Sequence, residues 1–508
     1  MATQLKLLLD PQFKDALLSH PLLSAEGGST PQEQTVTDTW FDTPDLQLRH
    51  GDVGLGVRRV NSSWTQHIER NGGSHARDEW EAPVAGPAPE LTGLRKLVDD
   101  KKIRRQVHDA AALGKRLAPV FTAKVQRTAW EVAPKDGVQI GCAFDQGRLE
   151  AGDKKATISE LDLEITAGDP AHLFDLALAL QRDFPIQIAT ASQADRGYAL
   201  LEAPGSRAVK ATELLLEDDM NVEQAFQAIA ANTLAQVQAN ADGVADQHDV
   251  ESVHQMRVGM RRLRSALGMF KNVLRLPAEL QKELDWLVGE LGGARDWDVL
   301  AGTTLPKVAS DLADPRPIEE LRLAAAEKAR EHHATAAAAV GSPRYTQLML
   351  NLTRWIEAMG WHDDPAPPAA AGTQLQASAL KFARQISRRD QRRLHRRAAN
   401  LQTATPEARH RVRIAAKKAR YAAEFFGSLF SGGTVRPYVK ALSGLQDELG
   451  YLNDATVAGR LLDEMSAAQP QLAPSVGFAK GYLTARARNE DKKVLKMWRN
   501  FEPVDRPR

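Results

Sequence analysis

Two short runs of this sequence place cations at matched intervals. From His254, arginines follow at +3, +7 and +10: Arg257, Arg261 and Arg264. From His410, Arg413, Lys417 and Arg420 follow at the same offsets, and Lys418 matches Arg262 at +8. On an α-helix each set shares one face, with successive cations about one turn, roughly 5 Å, apart. That spacing suits a polyanion better than one small anion. Arginine offers a planar fork to phosphate oxygens, and histidine adds a donor whose charge depends on pH. Acidic i+4 partners are nearly absent from both runs, so the like charges repel and cost stability unless an anion relieves them. Nucleic acid is the rival polyanion. Its binders add rings that stack on bases, and only Tyr421 stands among these basic positions. A ligand made of phosphate alone is favoured, and nucleic acid is disfavoured.

These residues need helices to hold them. Val253, Met256, Met260, Leu263 and Leu267 form an apolar stripe beside the first cationic row. The spacing predicts helices over 253–270 and 409–426, with others over 222–240, 279–291 and 474–498. A very basic helix over 375–401 carries Arg388 and Arg392. Pro315-Arg316-Pro317 and Asp364–Ala371 break the run of helices. Leu291–Leu300 (LGGARDWDVL) aligns with Leu449–Ala458 (LGYLNDATVA), so Asp296 matches Asp454. The repeated spacing marks an internal duplication. The two aspartates are expected as caps or as ion partners of the arginines, not as catalytic groups.

Ahead of the helices, to about residue 203, the pattern changes to strands. Ala118–Val132, Val138–Phe144 and Ile158–Ile165 alternate at period two, and Asn61-Ser62 joins a predicted hairpin. Glu160, Asp162 and Glu164 alternate with Leu161, Leu163 and Ile165; Arg77, Glu79 and Glu81 share a face. Such faces suit either a sheet wetted on one side or a barrel with a polar interior. A linker is expected over 203–210.

Composition bounds the rest. The chain has 508 residues, 43% hydrophobic, with a formal charge of +1 and one cysteine, Cys142. That length suffices for about three ordinary domains, of which the pattern resolves two. A lone cysteine excludes an intrachain disulfide and fits a reducing compartment. The N-terminal run lacks the basic start and long apolar core of a signal peptide. No apolar stretch of transmembrane length occurs. The expectation is a cytoplasmic protein without a membrane partner.

Both helical halves resemble the CHAD domain, the conserved-histidine α-helical domain. The match rests on VHQMRVGMRRLRSAL with LGGARDWDV, and on RHRVRIAAKKARYAAEFF with LQDELGYLNDATVA. The resemblance implies two pseudo-symmetric four-helix bundles whose basic surface binds inorganic polyphosphate, with no cofactor, and association with polyphosphate granules. The front of the chain resembles the CYTH domain, the triphosphate tunnel fold, through FDTPDLQLR, VRRV, RDEWEAPV, ISELDLEI and ADRGYALL. That resemblance implies an antiparallel barrel in which cations hold triphosphate and carboxylates hold Mg²⁺ or Mn²⁺. The E-x-E-x-K signature is reduced to Ala2, Gln4 and Lys6. Gly56, Glu69, Gln126 and Gln193 stand where the family has cations. Lys6, Arg58, Lys124 and Arg196 are left as a weak anion site, and Glu160, Asp162 and Glu164 as metal ligands only if the tunnel works.

The resulting expectation is an α+β chain of two domains. Residues 1–203 form a degenerate CYTH-like β-barrel. Residues 211–500 form an all-α CHAD-like domain with repeats at about 211–362 and 373–500. Polyphosphate would bind through His254, Arg257, Arg261, Arg262, Arg264, Arg388, Arg392, His410, Arg413, Lys417, Lys418 and Arg420. The alternative is a metal-dependent inorganic triphosphatase.

Overall fold

A computed structural model describes residues 3–23, 29–70, 79–91, 98, 103–104, 116–135, 137–202, 208–246, 249–368, 371–430 and 432–507. The chain forms two compact units: Met1–Ser206 with Ser342–Ala358, and Arg207–Gly341 with Met359–Arg508.

The first unit is a nine-stranded antiparallel sheet. Its strands are β1 (Gln4–Leu8), β2 (Gln32–Asp42), β3 (Val53–Val60), β4 (Ser63–Arg70), β5 (Glu79–Pro83), β6 (Ala118–Lys135), β7 (Val138–Ala151), β8 (Lys154–Ala167) and β9 (Gln187–Ile188). Their order is β5-β4-β3-β2-β6-β7-β8-β1-β9. Asn61 takes φ +55° in the β3–β4 turn, a conformation asparagine tolerates. The closed barrel expected from the sequence is corrected here. Among the described residues the edge strands β5 and β9 do not pair, and the sheet is open. Closure needs edges long enough to bond, and β9 has two residues, both paired to β1.

The two faces of this sheet differ as the alternation predicts. Leu161, Leu163 and Ile165 join Leu5, Leu7, Ile140 and Phe144 in a core. Helix α1 (Ala171–Asp183) covers it with Leu173, Phe174 and Leu180. Leu350 joins the same core from a helix at 343–357, deep in the helical half of the sequence. Arg354 of that helix pairs with Asp175 at 2.7 Å. The sequence boundaries had put this segment in the first helical repeat. The opposite face of β8 carries Glu160, Asp162 and Glu164, and helix α2 (Gln193–Leu201) packs at its apolar end through Ala194 and Tyr198.

The second unit is helical. Helices α3 (Val222–Gln238), α4 (Val250–Phe270), α5 (Ala278–Val299) and α6 (Arg316–Val340) precede the 343–357 helix, here α7. Helices α8 (Ala379–Ala398), α9 (Pro406–Phe425), α10 (Gly432–Ala468) and α11 (Ala473–Phe501) follow it. The starts are capped locally. Asn221 and Gln224 form a capping box on α3, the Asp249 carboxylate accepts from the Glu251 and Ser252 amides on α4, and Thr405 precedes Pro406 on α9. The apolar stripe of α4 lands as expected, with Val253 and Met256 fully buried.

The duplication is visible as a pseudo-twofold. The Val222 amide donates to the Ala377 carbonyl (2.9 Å), and the Ala379 amide donates to the Met220 carbonyl (3.0 Å). Four phenylalanines repeat the relation in the core. Phe226 lies 5.0 Å from Phe270, and Phe382 lies 6.2 Å from Phe426. Phe270 contacts both rings of the other half, at 4.8 and 6.1 Å. The repeats also share a second core, where Trp297, Leu305 and Leu321 meet Leu461, Leu462 and Leu483. The halves are therefore interlocked and not two separate bundles. Replacing Phe270 by Ala should destabilise this unit by about 3–5 kcal/mol. Phe270→Ala with Phe426→Ala should cost less than the sum, because the rings touch; denaturant melts followed by helical circular dichroism measure both.

Candidate functional site

Helices α4 and α9 bring the two histidine stripes together. The stripes are half-buried, not solvated: Arg257, Arg261, Arg413 and Lys417 all lie between the buried and exposed classes. Glycines stand opposite two of these cations. A Cβ at Gly292 would lie 3.4 Å from Arg257 Nη1, and one at Gly450 4.0 Å from Arg413 Nε and Nη2. These glycines occupy equivalent places in α5 and α10, one turn before Asp296 and Asp454. Asp296 stands 3.9 Å from Arg257 and 3.8 Å from Arg460, loose contacts for ion pairs. Burial raises its carboxyl above the ordinary range; Asp454 adds to the rise, while Arg257, Arg460 and Arg295 oppose it. Both aspartates thus serve as charge partners at the site.

The electrostatics tie the two stripes into one cluster. Burial lowers Arg413, and Arg261 from the other half lowers it further against Asp454. Burial, then Arg413, Arg261 and Arg420, push the Lys417 ammonium down to about 7; only Asp454 opposes them. Burial and Arg295, with Arg261 and Arg257, lower His254 against Glu251. The Nε atoms of Arg257, Arg261 and Arg413 and Nδ1 of His254 are buried with no hydrogen-bond acceptor among the described residues. Each such donor costs about 1–3 kcal/mol. Three guanidinium Nε–H groups and one imidazole nitrogen are thus held unpaired beside two carboxylates.

The structure does not bring every expected residue to this pocket. Arg262 is buried and spent: Nη1 donates to Gln236 (2.8 Å), Nη2 to Asn232 (2.9 Å), and the guanidinium lies over Phe425. Its counterpart Lys418 faces Arg393, Arg397 and Asp390 of α8. Arg264 is exposed and pairs with Asp285 at 3.1 Å. Arg420 is held by Gln446 (3.1 Å) and Glu424 (2.6 Å). His410 is exposed, unlike His254, while Arg388 and Arg392 lie on the outer face of α8. Sequence reasoning missed Arg295, Arg460 and the glycines, although Gly292 and Gly450 align in the duplicated LGG and LGY.

The charged face of the sheet reads differently. Lys6 pairs with Asp162 (3.3 Å), which also accepts from Gln4 (2.8 Å). Arg58 pairs with Asp38 (3.1 Å) and Glu81 (2.9 Å). Arg127 makes a two-pronged pair with Asp145, both prongs 2.7 Å. Arg196, from α2, pairs with buried Glu160. Gln193 donates to Asp145 (3.3 Å) and Glu160 (3.1 Å). His67 fills the space a side chain at Gly56 would need and bonds Asp38 at 2.8 Å. Burial would raise Asp38, but His67 and Arg58 outweigh it and hold the carboxyl below its ordinary range.

One expectation changes face. Lys124 was assigned to the tunnel and Gln126 to a lost arginine. The register puts Arg127, opposite Asp145, on the charged face and Lys124 on the other, exposed and 2.7 Å from Glu150. The arginine is therefore present one residue along. Arg77 lies outside the described residues. Among the described residues, no three His, Cys, Asp or Glu side chains converge to hold a metal ion. Glu160 is tied to Arg196, Asp162 to Lys6, and Glu164 is exposed.

Two of the motifs behind the tunnel resemblance also serve as scaffold. Asp42 accepts from the amides of Thr43 (2.7 Å), Leu48 (3.0 Å) and Arg49 (3.0 Å) and from Tyr198 Oη (3.2 Å). Arg49 pairs with Asp195 at 2.6 Å. FDTPDLQLR and ADRGYALL are thus locked to each other.

Fold and faces define the class: a charged-faced antiparallel sheet followed by a duplicated histidine-helix unit. The CYTH domain model matches residues 3–198 and the CHAD domain model residues 228–463. The chain carries a CYTH domain followed by a CHAD domain. A crystal structure of the CHAD domain from the plant Ricinus communis is 40% identical, covers 60% of this chain and 99% of its own, and superposes with a TM-score of 0.54. A protein of Haemophilus influenzae named inorganic triphosphatase is 29% identical over 211 residues, 39% of this chain. The match spans 54% of that relative, about half its length.

Lys417 gives the pocket a measurable signature. Burial and the neighbouring arginines push its ammonium down to about 7 in the folded protein, against about 10.4 when unfolded. Between these values the unfolded chain binds more protons, so stability rises with pH across that window and falls as pH drops toward 7. Lys417→Met should remove this contribution, giving a flatter stability–pH curve between pH 7 and pH 10 in denaturant titrations.

Proposed function

We propose that this protein binds inorganic polyphosphate through the α4–α9 pocket, with His254, Arg257, Arg261, Arg413 and Lys417 as its centre. The observation that supports this most is the set of buried, unaccepted donors on His254, Arg257, Arg261 and Arg413. A chain of phosphates offers acceptors and negative charge at every repeat. It would satisfy the donors and return Lys417 to its charged form. No cofactor is needed. The CYTH sheet is kept for structure and weak anion binding, its triphosphatase chemistry impaired. Its cations are already neutralised by Asp38, Glu81, Asp145, Glu160 and Asp162. Residence in the cytoplasm at polyphosphate granules goes with this reading.

A second reading is a metal-dependent inorganic triphosphatase. It draws on the H. influenzae relative and on Lys6, Arg58, Arg127 and Arg196, which the sheet still presents. It predicts orthophosphate release with Mg²⁺ or Mn²⁺, abolished by Glu160→Ala with Glu164→Ala.

One experiment separates the readings. Purified protein is given triphosphate or long-chain polyphosphate with metal, and binding and phosphate release are both measured. Tight, salt-sensitive binding without turnover is expected. Replacing Arg257, Arg261, Arg413 and Lys417 together by Gln should weaken binding at least about 100-fold, since charge-assisted hydrogen bonds are worth about 1.5–3 kcal/mol each. Undiminished binding by that variant would place the site elsewhere. RNA bound in preference to polyphosphate of equal charge at matched salt would reject polyphosphate as the ligand.

A further inference from the structure

One cation of the α4–α9 pocket is chemically unlike the rest. His254, Arg257, Arg261 and Arg413 stand with Lys417 at its centre, and Arg295, Arg420 and Arg460 stand around them. Lys417 is the only primary amine in this set. The duplication sharpens the difference. The equivalent position in the first half, seven residues after its histidine, is Arg261. An arginine stays charged and inert, whereas a lysine that gives up its proton becomes a nucleophile.

The surroundings of Lys417 suit that role. The residue is half-buried, so the ammonium is disfavoured while solvent still reaches the side chain. Arg413 lies one turn before it on α9 and Arg420 one turn after. Arg261 acts on it from α4, and Asp454 of α10 is the one carboxylate that favours the charged form. Among the described residues Lys417 makes no side-chain hydrogen bond and no ion pair. Arg420 is engaged by Gln446 and Glu424, but Arg261 and Arg413 keep buried Nε–H groups without an acceptor. An anion docked on those two guanidinium groups lies beside an amine whose neighbours drive it towards neutrality.

We propose that Lys417 is an acylation site, modified by a small acyl phosphate that docks on Arg261 and Arg413, and that the modification closes the pocket to polyphosphate. This rests on the polyphosphate reading above and adds a covalent switch to it. The Nζ lone pair attacks the acyl carbon and a C–N bond forms. The bond from that carbon to the phosphate oxygen breaks, and orthophosphate leaves with the electron pair. The proton released from nitrogen passes to water or to the departing phosphate. No oxidant, reductant or further reactant is needed. The product is a neutral amide, which removes one of the cations that a polyanion would meet. Bound polyphosphate acts in the opposite sense, because it returns Lys417 to the ammonium and covers it. Ligand and acyl donor therefore exclude each other.

The test treats the full chain with acetyl phosphate at about pH 7.5 and follows each lysine by peptide mass spectrometry. Lys417 should be acetylated at least about 10-fold faster than exposed Lys282 and Lys440. Its rate should level off above about pH 7, whereas a solvated lysine amine, near 10.4, keeps accelerating. Long-chain polyphosphate should protect it, and acetylated protein should bind polyphosphate about 10-fold more weakly. Lys417→Arg keeps the cation and copies the first half, so it should fold, bind polyphosphate as wild type does and be insensitive to acetyl phosphate. The neutral ester p-nitrophenyl acetate separates docking from basicity. Arg261→Gln, checked by circular dichroism, should slow labelling by acetyl phosphate about 10-fold and labelling by the ester much less. Lys417 labelled no faster than Lys282 and Lys440 overturns the proposal. Equal slowing with both reagents in Arg261→Gln also overturns it, since nothing would then dock. Weakened polyphosphate binding by acetyl-phosphate-treated Lys417→Arg overturns it too, because another lysine would carry the effect. Tight polyphosphate binding with slow Lys417 labelling leaves the polyphosphate reading standing and rejects the switch. Fast, docking-dependent labelling in a protein that binds no polyphosphate rejects that reading and leaves the acylation site.

Discussion

The helical unit is organised around like charges held half out of water. Arg261 of one half faces Arg413 and Lys417 of the other, Arg257 lies among Arg261, Arg295 and Asp296, and Asp296 and Asp454 are the counter-charges. Burial and repulsion both oppose this arrangement. It persists because the surrounding helices leave no alternative. The four phenylalanines clamp the pseudo-twofold at the ends of α4 and α9. The paired amide–carbonyl bonds between 220–222 and 377–379 fix the starts of α3 and α8. Gly292 and Gly450 lie opposite the Arg257 and Arg413 guanidinium groups. Stability spent this way at one place is a mark of a binding surface.

The sheet holds a comparable number of charges and resolves them differently. Arg58, Arg127 and Arg196 each meet a buried acid, and His67 closes over Asp38 beside Trp40. Such internal pairs satisfy the folded state but compete with any ligand for the same cations. An incoming triphosphate would have to displace carboxylates already in contact, whereas an anion at the α4–α9 pocket would meet unaccepted donors.

Much of this was legible in the sequence because it follows from periodicity. The offsets +3, +7 and +10 placed the stripes on helix faces, and alternation placed Glu160, Asp162 and Glu164 opposite the leucines of β8. The errors have equally specific causes. A strand has period two, so a one-residue slip in aligning β6 put Lys124 and Gln126 on the charged face that Val125 and Arg127 occupy. Arg262, at +8 from His254, falls at the edge of the helical stripe, and only packing against Gln236, Asn232 and Phe425 decided that it points inward. Asp38 and Asp145 were overlooked because no motif marks them; cross-strand register brings each opposite an arginine.

By itself the sequence determined the duplication, the two domain types and the cationic helix faces, since these depend on spacing and residue type alone. Tertiary structure decided which cations are available. That choice rests on contacts between segments far apart in the chain: Arg262 with α3, Arg196 with Glu160, Arg261 with Lys417, and the 343–357 helix with α1. Long-range contacts set burial and charge pairing, and those two quantities separate a cation that can accept a ligand from one already spent on the fold.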